Sequence, residues 1–276
     1  MQGDSLEREK KILSKVSLVI GSEEADAEEV QYLRKQFRKE ISVREAEEAE
    51  NALLVRLDGD GLSFHADGQV LKGDFTRMLP RLKKHNLSGE LLVRAARIKN
   101  ADHVLTAIDA TAGLGEDSML LAAAGFLVKL YERNPVIYEL LRDALKRAGE
   151  DEQLGEIVSG MQLVHGDSIE AMQHLEEAVD VILLDPMFPE RQKSALVKKK
   201  LQVIQRLEVP CADEKELMTA AVCAAPKKLI IKRPPKGPYL AGIKPDYSIE
   251  GKAVRFDVFV SPYDRIEKFK AEGLND

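Results

Sequence analysis

With 276 residues and 44% hydrophobic content, the chain is long enough for one α/β domain and a smaller companion. No run approaches the roughly 18 apolar residues of a membrane span, and the charged start MQGDSLEREKK lacks a signal segment, so a cytoplasmic protein is expected. The net charge of −6 argues against nucleic-acid binding when taken alone, because phosphates call for a basic footprint.

The first hundred residues read as a small α+β unit. A strand is expected at Lys15–Ile20 and a charged helix from about Ser22 to Lys39. A hairpin follows, where NALLVRLDGDGLSFHADG alternates around Asp58-Gly59-Asp60-Gly61. SGELLVRAARI has apolar residues at helical spacing and predicts a linking helix from Gly89 to Lys99. The boundary is set at residue 85, giving domains 1–85 and 86–276.

From residue 103 onward, short apolar runs alternate with helical patterns, the mark of βαβ units. Six strands are expected, at 104–109, 127–131, 161–164, 179–184, 228–232 and 254–260. Helices fall near 117–124, 135–148, 168–176, 195–207 and 213–224, and Pro135 suits a first helical position. The fold class is therefore α/β, a doubly wound and mostly parallel Rossmann-like sheet with a small N-terminal α+β domain. A ligand is expected outside the carboxyl ends of the strands, at the switch point.

What stands at those strand ends bears on chemistry. DATAGLGEDS closes the first strand with Asp109, turns on Gly113 and Gly115, and opens a helix with Glu116, Asp117 and Ser118. A dinucleotide fingerprint would continue to a third glycine and a positive helix end; here two acids fill that end and would repel a pyrophosphate. A ligand carrying a sulfonium and an ammonium fits instead, and S-adenosylmethionine is one. Glu132, seventeen residues after Gly115, is the candidate partner for two ribose hydroxyls, with a surface salt bridge as the alternative. Asp167 is placed to accept from an adenine amine, and Ser168 either serves the ligand or caps the next helix.

The fourth end is VILLDPMFPERQKSALVKKK. Pro186 and Pro189 stiffen the turn around Met187 and Phe188. An exocyclic amine on a base ring is a weak nucleophile, so it must be turned toward a methyl donor by acceptors and held by a flat face; Asp185 and Phe188 are the candidates. Six cations lie between Arg191 and Arg206 with no acid among them, and five more between Lys227 and Lys236. Lys193, Lys198, Lys199, Lys200, Lys232 and Arg233 are the candidate phosphate contacts, with a solvated face as the plain alternative. Cys211 and Cys223 lack CxxC spacing and are expected to be buried, and the five histidines form no HxxxH or HExxH pair, so no metal site is expected.

Taken together, DATAGLGEDS, ERNPV, LDPMFPERQKSALVKKK, IKRPP and RFDVF resemble a bacterial family of small-subunit ribosomal RNA guanine-N2 methyltransferases, RsmJ, within the Rossmann-like S-adenosylmethionine-dependent enzymes. DPMFP resembles the (Asp/Asn)-Pro-Pro-(Tyr/Phe) signature of amine methylation, with Met187 in place of its second proline. The likeness is strong from about 85 to 260. It implies methyl transfer to the 2-amino group of one guanosine in 16S ribosomal RNA, free or in the 30S particle. The implied cofactor contacts are Glu116, Asp117, Glu132, Arg133, Asp167, Ser168 and Asp185, beside the Asp109, Gly113 and Gly115 turn. A flipped or unpaired guanine would stack on Phe188. Other readings are a small-molecule amine acceptor, a silent rRNA-binding assembly factor and, more remotely, an NAD oxidoreductase.

Overall fold

The computed structural model describes residues 7, 10–20, 27–40, 53–186, 207, 214–271 and 274. They group into two units. One holds the described residues up to Asp74 together with 134–147 and Leu207, and the other holds 75–133, 148–186 and the described residues from 214 onward.

In the first unit, β1 (Val16–Ile20) pairs in parallel with β2 (Leu53–Asp58), and helix α1 (Ala27–Glu40) lies between them in sequence. β2 turns at Gly59-Asp60 into antiparallel β3 (Gly61–Ala66), and a short β4 (Gln69–Leu71), absent from the sequence-based expectation, completes a four-stranded sheet. Gly61 has φ +114°, and a Cβ there would meet the Arg147 side chain at 2.6 Å, so the hairpin requires glycine. The long helix α4 (Pro135–Gly149) joins this unit through side chains. Arg142 pairs with Glu29 and Glu139 and stacks over the Tyr32 ring at 4.3 Å, while the Tyr32 hydroxyl donates to Glu139 at 3.1 Å. Burial, reinforced by the Glu139 carboxylate, pushes the Tyr32 pKa up to about 12.

In the second unit the described residues form a seven-stranded sheet. Its strands are β5 (Thr106–Asp109), β6 (Leu127–Glu132), β7 (Met161–His165), β8 (Val181–Leu184), β9 (Lys228–Arg233), β10 (Tyr247–Glu250) and β11 (Arg255–Val260), ordered β10-β11-β9-β8-β5-β6-β7. The first five in sequence run parallel; β11 is antiparallel to β9, and β10 to β11. This is the expected α/β class with one strand more than the six anticipated. β10 is a four-residue edge strand reading YSIE, too short and too polar to stand out as an apolar run.

Helices α3 (Glu116–Ala123), α5 (Ser168–Gln173) and α6 (Glu214–Cys223) occupy the expected places, and α2 (Leu91–Ala96) is shorter than its apolar spacing suggests. The expected helix at 195–207 lies outside the described residues except Leu207. Every residue of Val181–Leu184 is 0% exposed, as a central parallel strand covered on both faces must be. Cys223 is exposed at the end of α6, contrary to the expected buried thiol, and Cys211 lies outside the described residues. Position 223 falls on the solvent side because Leu217, Met218, Ala220, Ala221 and Val222 already supply the buried face.

At the amino ends of the strands, Asp180 is a fixed point. Its carboxylate accepts from the Thr106 backbone N–H at 2.8 Å, contacts His103 Nε2 at 3.1 Å and pairs with Lys227 at 2.7 Å, with its side chain 4% exposed. Asp180→Ala is expected to strand the Thr106 N–H and to cost roughly 2–4 kcal/mol. Urea unfolding should show the loss, while ligand affinity of the folded variant stays at the wild-type level because the ligand edge is at the opposite end of the strands.

Candidate active site

The five parallel strands bring their carboxyl ends to one edge, and the chain reverses its direction of winding between β5 and β8. The turn after β5 is tied to both neighbouring strands. Ala110 N–H donates to the Leu183 carbonyl at 3.0 Å, and Ala112 N–H to that of Tyr131 at 3.1 Å. Gly113 N–H donates to Glu132 Oε2 at 3.1 Å. On the other side, the Asp185 N–H donates to Thr111 Oγ1 at 2.6 Å. Thr111 escaped the sequence reading; its only signal was a hydroxyl lodged between Asp109 and the glycines.

Gly113 and Gly115 have φ values of +54° and +73°, the left-handed region that glycine enters without steric cost. A Cβ on Gly113 would meet nothing within 4 Å, so the turn opens onto free space. Glu132, 5% exposed, spends one oxygen on the turn. Asp109 is more withdrawn still, at 2% exposed, and accepts from Ser118 Oγ at 2.5 Å and from Thr111 N–H at 3.2 Å. It braces the turn through these two bonds.

Asp117, in the first turn of α3, and Asp185, at the end of β8, share one cation. Lys232 Nζ lies 2.5 Å from Asp117 and 2.9 Å from Asp185. Burial pulls the Lys232 pKa down, but the Asp185 and Asp117 carboxylates outweigh it and raise it well above the lysine range. Asp185 keeps 40% of its side chain in solvent. Desolvation lifts its pKa against the pull of Lys232. The pairing of residues 117, 185 and 232 has no signature in sequence, because they come from three separate βα segments.

Lys232 is therefore held inside the site by two carboxylates, where the sequence suggested a rim contact to phosphate. Arg233 is 1% exposed, with Nε donating to the Pro238 carbonyl at 2.8 Å and Nη1 3.6 Å from Glu214. Burial lowers its pKa to about 10. It presents no cation to solvent: alternation along β9 turns its side chain inward. At the β7 end, Asp167 is the helix cap, accepting from Ile169 N–H at 2.8 Å, and Ser168 is the first buried residue of α5, which reverses the capping role expected of Ser168. Arg133 and Glu116 are exposed. Asn134, 1% exposed, caps α4 by accepting from Val136 and Ile137 N–H. Phe188, Lys193, Lys198, Lys199 and Lys200 lie outside the described residues.

A family model described as "Putative SAM-dependent methyltransferase" matches residues 36–261. A curated relative from Thioalkalivibrio sulfidiphilus, named ribosomal RNA small subunit methyltransferase J, is 41% identical over 223 residues, covering 78% of this chain and 87% of its own. The chain belongs to the ribosomal RNA small subunit methyltransferase J family. Members of the same name from Marinobacter nauticus and Shewanella oneidensis are each 40% identical over 75% of this chain, covering 77% and 85% of their own lengths. A crystal structure of a SAM-dependent methyltransferase from Neisseria gonorrhoeae aligns at a TM-score of 0.69 with 28% identity, over 89% of this chain and 96% of that one. Within the family fold, and among the described residues, the strand-end segments carry more carboxylates (Glu116, Asp117, Glu132, Asp167, Asp185) than cations (Arg133, Lys232, Lys236). That excess, beside an open glycine turn, suits a ligand with a sulfonium, an ammonium and ribose hydroxyls. Among the described residues no cluster of three metal-ligating side chains occurs.

Burial, partly offset by the Ser118 hydrogen bond and reinforced by Asp117, pushes the Asp109 carboxyl up to about 7. The folded chain then holds a proton that the unfolded chain releases near pH 4, so this group's stabilisation is complete below about pH 4 and is lost as pH rises toward 7. Asp109→Asn removes that dependence. The variant's unfolding free energy relative to wild type should improve by up to about 4 kcal/mol between pH 4 and 7.5 in urea titrations. A flat difference would mean that Asp109 is charged throughout.

Proposed function

We propose that this protein transfers a methyl group from S-adenosylmethionine to the exocyclic N2 amine of a specific guanosine in small-subunit (16S) ribosomal RNA. The observation that carries the reading is Asp185 at the switch point, hydrogen-bonded through its backbone to the glycine turn, in a chain 41% identical to a curated enzyme of that name. S-adenosylmethionine is the cofactor, and when bound it supplies an electrophilic methyl on a sulfonium.

The chain's own residues bind and orient. Gly113 and Gly115 let the backbone approach the cofactor, and Glu132 accepts from its ribose hydroxyls. Asp167 accepts from the adenine amine while capping α5, with Ser168, Arg133, Glu116 and Asp117 around it. Asp109 holds the turn in shape. Asp185 accepts an N–H of the guanine amine and turns its lone pair toward the methyl group, and Phe188 holds the base ring. Alignment of this kind, with reacting atoms about 3–3.5 Å apart, lowers a barrier by on the order of 7 kcal/mol or more. Lys232 opposes the desolvation of Asp185 and fixes its position, which favours the carboxylate as an acceptor.

Lys193, Lys198, Lys199 and Lys200 are proposed to take RNA phosphates beside the target, free or in the 30S particle. Residues 1–85 are proposed as a substrate-recognition domain on a methyltransferase domain of 86–276. A ribosomal RNA substrate makes the cytoplasm the proposed location; among the described residues no helix is long and apolar enough to cross a membrane.

Mass spectrometry of ribosomal RNA from cells lacking the protein should show the loss of one N2-methylguanosine from the small subunit, restored by the intact gene; an unchanged modification map would refute the reading. In vitro, Asp185→Ala is expected to lower methyl transfer at least roughly 100-fold with the circular dichroism spectrum unchanged. Lys232→Met should lower kcat by roughly tenfold or more, because two acids are left facing each other without their cation. Wild-type turnover in Lys232→Met would remove the lysine from the mechanism.

A further inference from the structure

The segment after β9, Pro234-Pro235-Lys236-Gly237-Pro238-Tyr239, lies on the same edge as Asp185, since it follows Arg233, the last residue of a strand parallel to β8. Two arginines hold it from beneath. Arg233 Nε donates to the Pro238 carbonyl at 2.8 Å, and Arg255 donates to the carbonyls of Pro235 at 3.0 Å and Gly237 at 3.2 Å. Arg255 stands 5.1 Å from the centre of the Tyr239 ring. Its Nε and Nη2 also donate to Asp257 at 2.8 and 2.9 Å, and the Ser248 hydroxyl donates to the same carboxylate at 2.6 Å. Gly237 N–H closes the turn on the Pro234 carbonyl at 2.9 Å. A Cβ on Gly237 would press on the Pro234 ring at 3.0 Å.

Such a construction is costly for a surface turn. The side chains of Arg233 and Arg255 are 0% and 8% exposed, and well-packed apolar residues in their place would commonly serve stability as well or better. What the guanidiniums supply is a fixed path for three backbone carbonyls in a segment whose three prolines already restrict it. The side chain held out at the apex is Lys236, exposed and without an ion pair among the described residues. It stands four residues from Lys232, no more than about 14 Å along the chain.

We infer that the 234–239 turn is a rigid substrate rim in which Lys236 contacts an RNA phosphate near the target guanosine, with Arg255 and Arg233 as positioning residues that act through it. The inference rests on the proposed methylation of ribosomal RNA and extends it: the phosphate contact of the β9 segment is Lys236, while Lys232 and Arg233 serve the interior. A preformed rim fixes the register of the RNA backbone without the ordering cost of a flexible lysine loop.

Full-length protein would be assayed for methyl transfer to small-subunit ribosomal RNA and to 30S particles over a range of salt. Lys236→Ala is expected to raise KM for RNA roughly 3- to 10-fold and to reduce the slope of log KM against log salt by about one, with kcat and S-adenosylmethionine affinity within twofold of wild type. Arg255→Lys keeps the charge but loses the fork, and should raise KM for RNA similarly. The double variant should be no worse than the more affected single one, since both act through one contact. If Arg255→Lys does not fold, the Lys236→Ala result decides alone. Wild-type KM and salt slope in Lys236→Ala, with the wild-type enzyme active on RNA, overturn the rim and leave the proposed reaction standing. Wild-type protein that binds S-adenosylmethionine yet methylates neither RNA substrate overturns the reaction and the rim with it.

Discussion

The site depends on a six-residue turn, Ala110 to Gly115, being held from both sides. Backbone bonds join it to β8 and β6, the Glu132 carboxylate holds Gly113, and the Thr111 hydroxyl receives the N–H of Asp185. Of the groups proposed to touch the cofactor or the base, Gly113 and Gly115 lie in this turn, and Glu132 and Asp185 are one hydrogen bond away from it. The left-handed glycines make the path possible, and the parallel register of β5 with β6 and β8 makes it specific.

Charge is organised around the turn in two layers. Beneath it, Asp109 is nearly closed off from solvent and titrates close to neutrality, so its work is hydrogen bonding to Ser118 and Thr111. Above it, Asp117 and Asp185 share Lys232, whose charge opposes the desolvation that raises the Asp185 pKa. The difference lies in the partner: desolvation raises the pKa of both Asp109 and Asp185, and of the two only Asp185 has the Lys232 ammonium beside it to oppose the rise.

Arginine and lysine divide labour in the same way. Arg233 and Arg255 are fixed donors to backbone carbonyls, a use that suits a planar fork, whereas Lys232 is a point charge shared by two carboxylates. A run of cations read along the chain as one basic patch thus separates in space into a buried clamp, an internal ion pair and an exposed lysine.

By itself the sequence determined the fold class, the order of the parallel strands' elements and the edge on which the site lies, because apolar runs, glycine turns and terminal acids are local signals that survive folding. Asp109, Gly113, Glu132, Asp167 and Asp185 were all legible as residues at strand ends. The tertiary structure alone decided what each does with its second partner: that Asp109 looks inward, that Asp167 and not Ser168 caps α5, that Lys232 is shared by Asp117 and Asp185, and that Arg233 is buried. It also supplied the edge strand β10, whose four residues gain their pairing only from β11. The reason is physical: composition and spacing report how a residue relates to its own helix or strand, while hydrogen bonds and ion pairs between segments 74 to 115 residues apart depend on register and side-chain direction, which exist only once the sheet has formed.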